Sequence, residues 1–61
     1  MFSVNIPAEK LNDVKGFLDF NEYSYVVERD YSIDESWGIY YDVEVSADIS
    51  LLDTLVRVCG L

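Results

Sequence analysis

The sequence predicts an α+β domain of order β-α-β-β-α, in which a three-stranded antiparallel sheet carries two helices on one face. Three observations predict it. The apolar period changes from two to about 3.6 at Pro7, so a strand gives way to a helix. Two runs rich in Tyr, Val, Ile and Trp flank a polar connection, as in a hairpin. The segment from Ser46 onward is apolar around most of its circumference at helical spacing. Residues 1–61 make a single domain, close to the lower size at which a core suffices without disulfides or metal.

The first strand alternates Phe2, Val4 and Ile6 with Ser3 and Asn5, so one face is buried. Pro7 ends it and suits a helix start, where a missing N–H is harmless. Ala8, Leu11, Val14, Phe17 and Leu18 then recur at helical spacing, opposite Glu9, Lys10, Asp13 and Lys15. The helix is expected to end near Phe20 and Asn21. Gly16 weakens a helix interior by about 1 kcal/mol relative to Ala, which predicts close packing against the sheet there.

Residues 23–31 and 37–45 read as strands joined by Ser32-Ile33-Asp34-Glu35-Ser36. Centring the turn on Asp34 pairs Tyr31 with Trp37, Arg29 with Ile39, Val27 with Tyr41, Tyr25 with Val43 and Tyr23 with Val45. The opposite face then shows Glu28, Asp30, Asp42 and Glu44 around Tyr40. In the final helix, Ser46 is the expected cap, Asp48 lies in the first turn, and Gly60 is the stop. Ser50, Asp53, Thr54 and Arg57 form a narrow polar stripe. The rest of that helix is more apolar than one small sheet needs, so Leu51, Leu55, Val56 and Val58 are candidates for self-association. A right-handed crossover leaves room for the third strand between the first two. The arrangement resembles a ferredoxin-like unit lacking its last strand.

Charge is the sharpest functional clue. Twelve carboxylates face four cations, for a net charge of −8. Between Asp19 and Asp53 the only cation is Arg29, expected to snorkel to the sheet edge or pair with a nearby acid. Such a field repels nucleic acid and anionic membranes and attracts basic surfaces. On the open sheet face, same-strand neighbours lie about 6.6–6.8 Å apart. That is of the order of the spacing between neighbouring phosphates, so Glu28, Asp30, Asp42 and Glu44 can occupy phosphate positions in a basic groove. Asp34 and Glu35 would extend the row, and Tyr40 would anchor the contact. The bland reading is that these charges keep exposed strands soluble and unpaired. Like charges on neighbouring strands weaken a sheet, however, which solubility alone does not require.

Other chemistry is poorly provided for. The chain has no His, no glycine-rich phosphate loop and no Ser- or Cys-centred nucleophile motif, so an enzyme is not expected. Asp30, Asp34 and Glu35 could offer oxygens to Ca²⁺ or Mg²⁺, but the EF-hand spacing is absent, and no cofactor or metal is expected. Tyr23, Tyr25, Tyr31, Trp37, Tyr40 and Tyr41 lack the positive groove that single-strand binders need, and most are expected in the core or an interface, with Tyr40 alone projecting from the acidic face. Cys59 is alone in an apolar run, which predicts a buried thiol in a reducing compartment. No leader pattern or bilayer-length apolar run is present, and a soluble cytoplasmic protein is the expectation.

In length, acidity and architecture the chain resembles small phage-encoded inhibitors of host defence. Anti-CRISPR proteins, several of which imitate DNA with surface carboxylates, are among them. The resemblance implies a stoichiometric inhibitor of a basic nucleic-acid-binding protein or complex, in the host cytoplasm. The alternatives are a homodimeric interaction or regulatory module that uses the apolar helix 46–59 and whose acidity serves solubility, and a cation-responsive binding domain.

Overall fold

A computed structural model describes Met1–Leu61. Strand β1 (Phe2–Pro7) leads into helix α1 (Ala8–Phe20), followed by β2 (Tyr25–Asp30), β3 (Tyr40–Val45) and helix α2 (Ser50–Cys59). The sheet has the order β1-β3-β2, and both neighbouring pairs are antiparallel. The expected α+β architecture is therefore present, with β3 in the centre.

Strand parity separates the two faces. Phe2, Val4 and Ile6 stand beside Val45, Val43 and Tyr41, which in turn stand beside Tyr25, Val27 and Arg29. This is the side the helices cover. Phe2, Ile6, Val43 and Val45 meet Val14 and Leu18 of α1 and Leu55 and Cys59 of α2 in the core. The cover is uneven. On β1, Phe2 and Ile6 are buried, whereas Tyr25, Val27 and Arg29 on β2 are only half-buried. The helices run antiparallel, with Lys10 of α1 close to Gly60 beyond the end of α2. Burial pushes the Cys59 thiol pKa up, as suits an inert core sulfur.

The helix ends follow from local hydrogen bonding. At the end of α1 the Tyr23 N–H donates to the Leu18 carbonyl and the Glu22 N–H to the Asp19 carbonyl, at 2.9 and 3.1 Å. This double closure puts Glu22 in the left-handed region, at φ 61°, where glycine is the usual occupant. Tyr25 Oη then donates to Asp19 Oδ1 at 2.8 Å, tying β2 to the helix it follows.

Five expectations are corrected. The β2–β3 register is offset by two residues from the expected one: Val27 faces Val43 and Glu28 faces Asp42. An offset of two keeps each side chain on its expected face. Its cause is a longer connection, in which Asp34 accepts the Ser36 N–H at 2.9 Å and opens a 3₁₀ turn over Glu35–Trp37. Gly38 then takes φ 113°, so Trp37 leaves the sheet and is 79% exposed instead of facing the core.

Helix α2 begins at Ser50, not Ser46. The Ser46 N–H donates to the Ser24 carbonyl, extending the ladder, and Asp48, just ahead of the N-cap Ile49, accepts the Ser50 N–H at 2.9 Å. Gly16 is exposed, and nothing would meet a methyl group placed there, so it marks no close packing. Finally, Leu55, expected at a self-association surface, is fully buried in the core. Leu51 is half-buried against that core, while Val56 and Val58 are exposed.

Candidate functional site

The open face of the sheet is built by the other half of each strand. Three cross-strand rows follow from the register: Ser3, Glu44 and Val26; Asn5, Asp42 and Glu28; Pro7, Tyr40 and Asp30. Glu28, Asp30, Asp42 and Glu44 thus share one face. Ser3, Val26, Glu28, Asp42 and Glu44 line a shallow depression of about 210 Å³ at its centre.

No cation stands on this face. Lys10 and Lys15 belong to α1, Arg57 belongs to α2, and Arg29 leaves the helix-facing side of β2. The helices and their flanks hold six carboxylates against three cations. The open face holds four against none, so the field is strongest there. Glu28 and Asp42 lie directly opposite each other, an arrangement that costs stability between like charges.

Two of the four carboxylates are pinned without being neutralised. Asn5 Nδ2 donates to Asp30 Oδ2 at 2.6 Å and to Asp42 Oδ1 at 3.1 Å, so one neutral amide from β1 bridges acids on the other two strands. Asp30 Oδ1 accepts from the Ser32 hydroxyl at 2.5 Å and the Ser32 N–H at 2.9 Å. The Ser32 bonds, with help from Asn5, hold the Asp30 carboxyl below the usual carboxylate range, so it stays ionised. Glu28 and Glu44 make no side-chain hydrogen bond or ion pair and point freely to solvent.

The loop acids do not join them. Glu35 pairs with Arg29 at 3.2 Å, the only ion pair in the molecule. Arg29 lies over the Tyr31 ring at 5.0 Å and nears the Tyr41 ring at 6.0 Å, which fixes it on the helix side. The charge of Glu35 is thereby offset, and Asp34 is occupied in capping the 3₁₀ turn. The expected extension of the row by Asp34 and Glu35 is corrected accordingly. No three acidic or cysteine side chains converge in a way that could hold a metal ion.

Tyr40 stands at the end of the face, not its middle, and is half-buried. With Pro7, Ala8, Trp37 and Ile39 it lines a mostly apolar cleft of about 450 Å³ that borders the acidic rows. The expected register puts Trp37 and Ile39 on the sheet face opposite the acids and gives Asn5 no role. The signal for Asn5 was its position in the polar alternation of β1. Trp37 gave no such signal, because its exposure follows from the Asp34 cap and Gly38.

No protein-family model, curated protein or solved structure matches the chain. No helix is long and apolar enough to cross a membrane.

Proposed function

We propose that the protein is a stoichiometric inhibitor, of the anti-CRISPR kind, that places its acidic sheet face in the nucleic-acid groove of a basic protein. A phage-encoded role in the host cytoplasm suits this reading. The observation that carries it is a face with four carboxylates and no cation, two of them fixed by the neutral Asn5 amide. Preorganised charge loses little side-chain entropy on binding, which favours a decoy over a merely solvated surface. Glu28, Asp30, Asp42 and Glu44 stand in for phosphates. The cleft between Trp37, Ile39 and Tyr40 receives an apolar or guanidinium group beside the groove, as aromatic anchors commonly do. The action is occupancy, without chemistry on the partner.

The test is competition with a DNA duplex for a basic nuclease or CRISPR surveillance complex, read by fluorescence anisotropy at several salt concentrations. Binding should exclude DNA and weaken steeply as salt rises. Glu28→Lys combined with Asp42→Lys should keep the far-UV circular dichroism spectrum and lose affinity by about 100-fold or more. A folded double variant that still inhibits would remove the decoy reading.

A further inference from the structure

The free flank of β1 carries an inference independent of the decoy. Hydrogen bonds at the ladder ends fix where each backbone group points. The Ala8 N–H donates to the Ile39 carbonyl at 2.8 Å, in line with the β1–β3 register. Bonded pairs recur at every second residue of an antiparallel ladder, so Phe2, Val4 and Ile6 turn their amides and carbonyls toward β3. Ser3 and Asn5 turn theirs outward, beside a sheet that ends at β1. On the other side, Ser46 bonds Ser24, so β2 turns Val26, Glu28 and Asp30 inward and shows Tyr25, Val27 and Arg29 on its flank.

The two flanks differ in protection. Edge strands are normally guarded by charge, proline or a bulge. Strand β2 carries Glu28, Arg29 and Asp30 in succession, while β1 has no charged residue from Phe2 to Pro7. Pro7 guards only one end, which leaves the outward amides of Ser3 and Asn5 open.

We propose that β1 pairs antiparallel with β1 of a second copy about a two-fold axis at Val4, giving one continuous six-stranded sheet. Ser3 then faces Asn5 of the second copy, Phe2 faces its Ile6, and Val4 faces its Val4. Each Ser3–Asn5 pair exchanges two backbone hydrogen bonds, about four across the junction. Parity is kept, so the apolar members meet on the helix side and Ser and Asn meet on the open face.

Charge selects this occupant. Two copies of net charge −8 repel least when they approach through a flank free of carboxylates, and β1 supplies it. A basic partner is drawn to the acidic face instead. Size points the same way. Only eight residues are buried and Val4 is only half-covered, so a shared core adds burial that the single chain lacks. The acidic faces become coplanar, with the two β3 strands about 14–15 Å apart across the two β1 strands.

Sedimentation equilibrium and amide hydrogen exchange over a concentration series test this without any partner. The expected mass is twice 7.0 kDa. The Ser3 and Asn5 amides should be protected when concentrated and should exchange faster on dilution, while Tyr25, Val27 and Arg29 exchange quickly throughout. Ser3→Pro removes one outward donor, spares the β1–β3 ladder, and should yield a folded monomer. A 7.0 kDa species at millimolar concentration with fast Ser3 and Asn5 exchange overturns the proposal. So does a dimer in which those amides stay unprotected, or an undiminished Ser3→Pro dimer. If Ser3→Pro fails to fold, exchange in the unaltered chain decides the matter.

Discussion

The two faces of the sheet are made by alternate residues of the same three strands, yet they act in opposite directions. The helix side gathers Phe2, Ile6, Val43 and Val45 with side chains of both helices, and its burial drives folding. The open side sets Glu28, Asp30, Asp42 and Glu44 together with no cation among them, and their repulsion opposes folding. A strand can serve both because its side-chain period is two. Stability resides on one face, which leaves the other free to carry a charge pattern that the fold does not need.

The largest expected effect breaks the favourable face. Leu55 is fully buried where α2 meets the sheet and α1. Leu55→Ala should cost about 2–5 kcal/mol. A core of this size rarely supplies more than about 3–5 kcal/mol, so the variant should be largely unfolded at 25 °C by circular dichroism. Val56 follows it in α2 and is 41% exposed. Val56→Ala should shift stability by no more than about 0.5 kcal/mol. A well-folded Leu55→Ala protein would show that the core is not what holds this chain together.

The faces were legible in the sequence because parity survives an error of two residues. Glu28, Asp30, Asp42 and Glu44 fall on one side in the expected register and in the observed one. The connection was not legible in the same way. Trp37, Gly38, Ile39, Tyr40 and Tyr41 read as one β run, and only the Asp34 cap with Gly38 at φ 113° releases Trp37 from it. Leu55 and Val56 are both apolar on a helix apolar nearly all round, so composition alone could not say which of them faces the sheet. The start of α2 was misplaced because Ser46 is a good cap by type, while the strand ladder runs through Ser46 and the first helical N–H is taken by Asp48. Glu35 looked like part of the acidic row until Arg29 took it to the other side of the sheet.

Gly16 gives an intermediate effect and tests whether the helix layer holds slack. It lies within α1 with no atom within 4 Å of the position a methyl group would take. Gly16→Ala should therefore stabilise by about 0.4–1 kcal/mol, chiefly by restricting the unfolded chain. That corresponds to a rise of about 2–8 °C in Tm for a domain of this size. A lower Tm would mean that the site is crowded after all, as the sequence alone suggested.

The smallest effect isolates the cost of the open face. Glu28 and Asp42 are opposite neighbours with Cα atoms about 5.5 Å apart in a hydrogen-bonded pair. Glu28 makes no side-chain hydrogen bond or ion pair, so Glu28→Gln removes repulsion without removing a bond. The gain should be about 0.2–0.5 kcal/mol at low salt. It should vanish near 1 M salt, where the screening length falls to about 3 Å. Asp13→Asn, on a helix that also carries Lys10 and Lys15, should give no such salt-dependent gain. Thermal melts of the three proteins at low and high salt supply the comparison. Were Glu28→Gln to destabilise at low salt, Glu28 would be supporting the sheet, and its charge could not be counted as something the fold merely tolerates.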